Sequence, residues 1–397
     1  MSSGTPSYIP PSNSSTFKRI FRTSSFSSFI SLSIRDSLAS ITLAWRLKTG
    51  RHTLAKPPIP KNQHYVPRML MRPFAVRGAG KAEQVQVFDK HSDRSFIARL
   101  EDVLAGRYFN TIWQDDFVQD VEGPLSKLED RAAPVLRKLV DERSWANLDG
   151  KEQVTLAFFL AVQFVRGPDT RVRIDQMMDQ MQAVAKAMAR DKADADVPAA
   201  PTADERKQMV FELMRTSAAE LAELLLKKTW LLFEPEVGEF YLGDTPLAMH
   251  NDRDMGPYGN IGLAVPGIQI YCPIAPDLLL ALWCPSLTAE LLDAEQKHRT
   301  MLGTLSLLEA LGTAPLTQVE REALAHLRAK WPFTKAMIAA LETRTPLKSD
   351  ADNLRFINHL QVRSAERYVL TRNQPFDLVK EMLAHKDSYR RGMRLSF

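Results

Sequence analysis

The sequence predicts an α+β fold: a mostly helical single domain with a small mixed or antiparallel sheet built from distant segments. Of the 397 residues, 45% are apolar and 25% are charged, which is the composition of a globular protein. Apolar residues at helical spacing dominate the chain from about residue 120. Short strand-like runs lie before residue 111 and again between residues 229 and 284. Because the strand-like runs are grouped and do not alternate with helices, an α+β arrangement is favoured.

Residues 1–60 are predicted to be a disordered, basic, Ser-rich leader outside the domain. They contain 14 Ser and a net charge of +7, from eight Lys or Arg and one acid. An organelle transit peptide, a tail with a membrane-touching amphipathic helix, and extra residues from an early start codon all fit this composition. The other 337 residues carry a net charge of −2, so no general attraction to nucleic acid is expected.

Strands open the predicted domain. The segment "EQVQVFDK" at 83–90 alternates apolar and polar residues, and "RSFIARL" at 94–100 is its expected partner. The first long helix begins near Pro124, which suits the first turn of a helix because that turn needs no backbone donor. A strongly apolar helix follows at 150–166 and ends before Pro168.

A polar, Ala/Pro-rich linker is predicted at 191–207, where the sequence reads "DKADADVPAAPTADERK". β-rich segments occupy 229–284. Helices then return in three further segments, at 288–312, 317–342 and 350–361. With no internal repeat in the sequence, residues 61–397 are predicted to form one domain.

Several classes of protein are disfavoured. Cys272 and Cys284 are too few for a disulfide framework and too sparse for a structural zinc site. They could pair with each other, but two buried thiols in neighbouring strands are favoured, which fits a reducing compartment such as the cytoplasm. The longest nearly continuous apolar run, at 154–165, has 12 residues where a membrane span needs about 20. The glycine-rich phosphate and dinucleotide loops, H-E-x-x-H and G-x-S-x-G are all absent from the sequence.

Four segments in a fixed order carry a resemblance to a known family. They are "NQHYVPRMLMRPFA" at 62–75, "AVQFVRGPDTR" at 161–171, "FYLGDTPL" at 240–247 and "FINHLQVRSAERYVL" at 356–370. In these segments the chain resembles the bacterial family called domain of unknown function 4238. The resemblance implies no activity. Gly167 and Gly243 stand where the family often has Thr and Ser, so no catalytic hydroxyl is expected at either position.

His64 is a candidate catalytic residue. Pro67 fixes its own φ and keeps Val66 extended, so the histidine is presented from a stiff segment. It could serve as a general base, a metal ligand or a phosphate contact, with Arg68 as an anion-binding neighbour. The alternative is a histidine that anchors its own loop by bonding to the backbone.

Gln163 and Arg166 interrupt the apolar helix and lie on one face of it, three residues apart. Arginine keeps its charge when buried, so Arg166 needs a carboxylate from another segment or a ligand anion. The expected partners are Asp244, Asp89 and Glu122. The structural alternative is a buried arginine–aspartate pair that ties the helix to the sheet.

Glu122 is a candidate outer member of the site. It shares a helix face with Glu129, seven residues later, and with the apolar Leu125. A carboxylate in such surroundings must be paired or have a raised pKa. Glu122 also stands at the start of the helix, where a negative charge simply complements the helix dipole.

Asp244 follows a strand and a glycine, at the kind of strand end where sites are often built. It could equally accept hydrogen bonds from turn amides. The "HNDRD" segment at 250–254 has the composition of a metal loop but no recognised spacing. Asn358 is expected either to bridge backbone groups or to contact a ligand. Arg171, in the second family segment, is a further candidate for binding.

Together these residues predict a composite site. The catalytic candidates are His64, Asp244 and Glu122, and the binding candidates are Arg68, Gln163, Arg166, Arg171 and Asn358. The expected reaction is hydrolysis at a phosphodiester or other anionic centre, with a divalent metal as a candidate cofactor. A small anionic ligand or nucleic acid would be the substrate. The competing hypothesis is a non-enzymatic ligand- or partner-binding module whose polar motifs form a buried structural network.

Overall fold

The computed structural model describes residues 36–42, 45, 52–53, 59–77, 82–114, 117–189, 199–256, 259–311 and 317–394. Long helices and small sheets combine in the described chain, so the α+β class is confirmed. The sequence predicted one small sheet, whereas the described strands form four. Residues 36–42 and 45 are helical.

The described strands are β1 His52–Thr53, β2 Asn62–His64, β3 Val76–Arg77, β4 Glu83–Asp89, β5 Arg94–Arg99, β6 Ala105–Arg107, β7 Thr111–Gln114, β8 Phe117–Asp120, β9 Thr229–Pro235, β10 Leu242–Gly243, β11 Ala248–His250, β12 Gln269–Ala275, β13 Leu278–Trp283, β14 Pro346–Ser349 and β15 Tyr368–Thr371. The α-helices after residue 60 are α1 Arg68–Met71, α2 Glu122–Glu142, α3 Gly150–Arg166, α4 Pro168–Ala189, α5 Ala203–Leu226, α6 Pro285–Leu311, α7 Gln318–Thr343, α8 Ala351–Ser364 and α9 Asp377–His385.

Two five-stranded sheets bring distant segments together. In one, the strand order is β11-β12-β13-β9-β14, with β14 parallel to β9 and the other neighbours antiparallel. Its central strands β12 and β13 are buried almost throughout, and the middle of β9 is buried too, as expected when both faces of a sheet are covered. In the other, the order is β10-β15-β4-β3, and β5 also pairs with β4. The predicted pairing of the 83–90 and 94–100 segments is confirmed by this β4–β5 hairpin.

Helix α3 lies at the centre of the largest core. Asp149 and Glu152 form a capping box that starts the helix, and every residue from 154 to 163 is buried. The helix is apolar on all sides because α2 and α5 pack against it. The helix predicted at 150–166 is confirmed at its stated bounds.

Part of the predicted leader belongs to the core. The ring of Trp45 is 5% exposed and packs edge-on against Phe158, and its indole nitrogen donates to the Met214 carbonyl. Strand β1 pairs with β8. The leader prediction for residues 1–60 therefore does not hold for Trp45 or β1, while residues 1–35 lie outside the described chain.

The linker predicted at 191–207 extends too far toward its carboxyl end, because a helix begins inside it. Thr202 caps α5 and forms a capping box with Glu205, so residues 203–207 are helical. Residues 191–198 lie outside the described chain.

The two cysteines are free, Cys272 buried in β12 and Cys284 half-buried just after the neighbouring β13. Among the helices of the described chain, none is long and apolar enough to cross a membrane.

Candidate functional site

Two side chains of α3 converge on one backbone carbonyl of the "HYVP" segment. Gln163 Nε2 and Arg166 Nε each donate a hydrogen bond of 3.0 Å to the Tyr65 carbonyl oxygen. Both side chains are buried, and Arg166 is 1% exposed. Their three-residue spacing gives them the shared face that the sequence predicted. These bonds fix the segment that carries His64 onto α3.

The charge of Arg166 is balanced by Glu129 of α2. Arg166 Nη1 donates to Glu129 Oε1 at 2.7 Å, and the glutamate side chain is 28% exposed. The prediction of Asp244, Asp89 or Glu122 as the direct partner was wrong, because α2 packs along α3 and presents Glu129 to it. The seven-residue spacing from Glu122 already placed Glu129 on the same inward face.

Three polar atoms in this region are buried and have no hydrogen-bond partner among the described residues. They are Arg166 Nη2, Gln163 Oε1 and His64 Nδ1. Native proteins pair most such atoms, and an unpaired one costs about 1–3 kcal/mol. The region therefore presents one permanent donor, one acceptor and one ring nitrogen to any molecule that can enter it.

His64 is half-buried at the end of β2. Burial lowers its pKa below 6.5, the charges of Arg68 and Arg166 lower it further, and the nearby backbone of Val103 and Leu104 partly opposes the shift. His64 is therefore neutral at pH 7 and able to accept a proton. Arg68 is exposed at the start of α1, and its charge acts on the His64 ring.

Glu122 is half-buried in the first turn of α2 and accepts a 2.9 Å hydrogen bond from Asn110 Nδ2. Burial raises its pKa above 4.5, with contributions from the negative charges of Glu129 and Asp120, while Asn110 and Arg166 oppose the shift. A carboxyl group with a raised pKa keeps its proton nearer to neutrality and suits a general acid.

A buried polar network supports this region, and the sequence did not predict it. Gln63 Oε1 accepts a hydrogen bond of 2.6 Å from the backbone nitrogen of Asn110, and Gln63 Nε2 donates one of 2.8 Å to Thr111 Oγ1. Thr111 in turn donates to Asp120 at 2.9 Å. Gln63 stands next to His64 in a family segment, which was a usable signal. The others carry no local signal, because their roles depend on the β2–β6 and β7–β8 pairings.

We call His64, Glu122, Glu129, Gln163 and Arg166 the Arg166 cluster. Asp244 does not belong to it. Both Asp244 carboxylate oxygens accept backbone hydrogen bonds, from Glu366, Arg367 and Tyr368, at 2.7, 2.8 and 2.9 Å. Burial raises its pKa to about 6, and the amides and the Lys90 charge oppose the shift. Asp244 thus holds the turn between α8 and β15 by accepting hydrogen bonds from its backbone amides. This is the structural role that the sequence predicted as the alternative to a site.

The surroundings of Asp244 are equally well paired. Arg367 forms a two-pronged ion pair with Asp89, with donor–acceptor distances of 2.7 and 3.0 Å. Lys90 is fully buried, and its Nζ donates to the carbonyls of Val362 and Ala365 at 2.7 and 2.5 Å. We call Asp89, Lys90, Asp244 and Arg367 the Asp244 network.

Two further candidates lie apart from the cluster. Asn358 bridges backbone groups, accepting from the Tyr241 nitrogen at 2.8 Å and donating to the Glu239 carbonyl at 2.9 Å. Arg171 lies over the Phe109 ring at 3.7 Å and donates to the Phe109 carbonyl. Burial lowers the pKa of Arg171 to about 10.

The two glycines at family positions are closely packed. A Cβ on Gly167 would lie 2.5 Å from Asp169 Oδ1, and one on Gly243 would lie 3.0 Å from the Gln361 carbonyl oxygen. A hydroxyl-bearing side chain would therefore displace neighbours at both positions.

The histidine of the "HNDRD" segment pairs within its own loop, His250 Nε2 lying 2.7 Å from Asp252 Oδ1. No group of three or more His, Cys, Asp or Glu side chains that could hold a metal ion was found in the part of the chain that the structure describes.

Comparisons with known proteins bear on the family. Neither the curated proteins nor the solved structures gave a match to this chain. The family model described as "Protein of unknown function (DUF4238)" matches residues 62–375, which include all four segments noted in the sequence up to residue 370. The chain therefore belongs to the DUF4238 family.

Proposed function

We propose that the Arg166 cluster is the active site of a hydrolase that acts on a phosphodiester or another anionic centre. The observation that carries this proposal is the set of three unpartnered buried atoms, on Arg166, Gln163 and His64, beside a half-buried acid. A purely structural network would be expected to pair these atoms with one another or with the backbone.

Two arginines would hold the substrate anion. Arg166 keeps its charge in a buried site, and its free Nη2 is fixed in direction by the bonds that Nε and Nη1 already make. A preorganised donor of this kind stabilises charge that develops in a transition state. Arg68, exposed beside His64, would meet the anion on the solvent side.

His64 and Glu122 would divide the proton transfers. Water adds to phosphorus while His64 accepts the proton of that water. The bond from phosphorus to the leaving oxygen breaks, and Glu122 donates its proton to that oxygen. Water returns the proton from His64 to Glu122 between turnovers. The lowered pKa of His64 and the raised pKa of Glu122 suit these roles. The free cysteines suit a cytoplasmic location for such an enzyme.

The test uses the full chain with bis(p-nitrophenyl) phosphate as substrate. We expect His64→Gln and Glu122→Gln each to lower kcat/KM by about 100-fold or more, the usual contribution of a general acid or base. The matched controls His91→Gln and Glu220→Gln change exposed side chains outside the cluster and should leave the rate unchanged. Circular dichroism melting confirms that each variant is folded.

The rate should also have a bell-shaped dependence on pH. His64 must be deprotonated, so kcat/KM rises with pH through a pKa below 6.5; Glu122 must be protonated, so the rate falls above a pKa higher than 4.5. A pH profile of kcat/KM from 4 to 9 measures both limbs. Loss of the falling limb in Glu122→Gln would assign it.

The competing hypothesis, a non-enzymatic binding module, gives a different result. If the wild-type chain hydrolyses no phosphodiester but inorganic phosphate raises its melting temperature, and Arg166→Lys removes that increase, the cluster binds anions without catalysis. Hydrolysis that is unaffected by both cluster variants would place the active site elsewhere and refute the proposal.

A further inference from the structure

A cavity lies far from the Arg166 cluster along the chain, between α8 and α9, with His250 of β11 at its edge. Its volume is about 460 Å³, within the range of about 300–1,000 Å³ that is typical of small-molecule sites. Helix α8 supplies one wall with residues 352, 355, 356, 359, 360 and 363, a single face at three- and four-residue spacing.

The opposite wall is held to α8 by contacts at successive turns of that helix. Arg355 donates to Glu381 at 2.5 Å, the His359 ring meets the Tyr389 ring edge-on at 5.5 Å, and Arg363 Nη2 lies 3.4 Å from the Met393 sulfur. The cavity is therefore elongated parallel to α8 and closed on two sides by ordered side chains.

Charge is unevenly distributed along this cavity. At one end the charge of Arg355 is neutralised by Glu381. At the other end no carboxylate of the described chain pairs with Arg363, whose side-chain contact is with a sulfur atom. Asp352 lies 11 residues earlier on α8, roughly 16 Å away at 1.5 Å per residue. His359 faces the same positive end, and its ring is one turn from Arg363.

The middle of the cavity is apolar. Phe356 is 38% exposed, and its ring is held edge-on against the His250 ring at 5.0 Å. Leu360 and Met382 line the cavity beside it. A partly exposed aromatic ring two helical turns from an unpaired guanidinium is suited to a molecule with a flat apolar body and an acidic end.

We propose that this cavity binds a small amphipathic anion, a carboxylate or sulfonate attached to an aromatic or branched apolar body. The acidic group lies on Arg363 and His359, and the body lies on Phe356, Leu360 and Met382. This binding site is separate from the proposed hydrolase site, and neither proposal depends on the other.

The test uses two fluorescent probes on the full chain: 8-anilinonaphthalene-1-sulfonate, and its uncharged relative N-phenyl-1-naphthylamine. We expect saturable binding of the sulfonate. Arg363→Met should weaken its affinity about tenfold by removing the charge-assisted bond, and should leave the affinity for the neutral probe unchanged. Phe356→Ala should weaken both probes. Arg137→Met, an exposed arginine on α2, is the matched control.

His359→Gln provides a second variant in case Arg363→Met does not fold, and should weaken the sulfonate more than the neutral probe. The proposal is overturned if the sulfonate shows no saturable binding, or if its affinity is unchanged in both Arg363→Met and His359→Gln. It is also overturned if these substitutions weaken the binding of the two probes equally. The last result would show an apolar cavity with no preference for anions. In folded His64→Gln and Glu122→Gln variants, sulfonate binding should be unchanged.

Discussion

The Arg166 cluster and the Asp244 network both bury charge, but they differ in how completely that charge is paired. In the Asp244 network the carboxylate, ammonium and guanidinium groups all have partners within hydrogen-bond distance. In the Arg166 cluster one guanidinium nitrogen, one amide oxygen and one ring nitrogen have no hydrogen-bond partner within the described part of the chain. The difference separates a network that fixes the backbone from a region with hydrogen-bonding capacity left for another molecule.

Exposure follows the same division. The Asp244 network bonds largely to backbone groups of the turn that precedes β15, and its aspartates are almost fully buried. The Arg166 cluster combines side-chain pairs with bonds to the Tyr65 carbonyl, and it reaches solvent through Glu129, Glu122 and His64. Identical residue types thus serve a structural role in one place and remain available for chemistry in the other.

The largest expected effect is on the Asp244 network. Asp244→Ala leaves three backbone amides without their acceptor and removes the negative charge that acts most strongly on the buried Lys90. We expect the free energy of unfolding to fall by about 3–5 kcal/mol, as when a buried charge loses its partner. Urea denaturation measures this. Asp141→Ala, on the exposed side of α2, is the control. A fall in the free energy of unfolding of less than about 1 kcal/mol would contradict the view that the Asp244 network is structural.

The Arg166 pair should respond asymmetrically. Glu129→Gln leaves a fully buried guanidinium without a counter-charge, which costs about 3 kcal/mol. Arg166→Met leaves only a partly exposed carboxylate that water can reach, so the cost should be about 1–2 kcal/mol. Urea denaturation of both variants gives the order. The opposite order would mean that Arg166 acts mainly as a structural cross-link.

A smaller, pH-dependent effect should come from Lys90. Burial lowers its pKa from 10.5 to about 8. Between these values the unfolded chain binds a proton that the native chain does not, so stability gains from this residue as pH rises from 8 to 10.5. The gain should be about 1–3 kcal/mol, since one pKa unit corresponds to about 1.4 kcal/mol.

Lys90→Met should remove that slope. Unfolding free energies measured at pH 8, 9 and 10 for both chains test this. The exposed Lys151 supplies the control variant Lys151→Met. Equal slopes in wild type and Lys90→Met would show that Lys90 titrates normally and that the pairing around it is loose.

Local pattern was enough to predict much of the fold. The apolar run of α3 is too long for a typical strand, and the alternation of β4 is typical of one, so both elements could be predicted from local sequence. The need of Arg166 for a negative partner also followed from the sequence. The identity of that partner did not, because it depends on how α2 docks against α3.

The roles of the aspartates and amides were also beyond local prediction. Asp244 sits at a strand end that is equally suited to a site or a cap, and only the approach of residues 366–368, more than 100 residues later, decides between them. Asn110 and Thr111 acquire their partners from strand pairings that no nearby residue specifies. Periodicity can be seen in a short segment of sequence, whereas the long-range partners of a residue cannot.

The position of Trp45 has a practical consequence. The family match begins at residue 62, which is 17 residues after Trp45. The indole of Trp45 nevertheless fills the core beside Phe158. A chain shortened to the matched region would leave a cavity of aromatic size over α3, the helix that carries Gln163 and Arg166. The region that is recognisable by motif is therefore smaller than the unit that must be kept intact to hold the arginine in place.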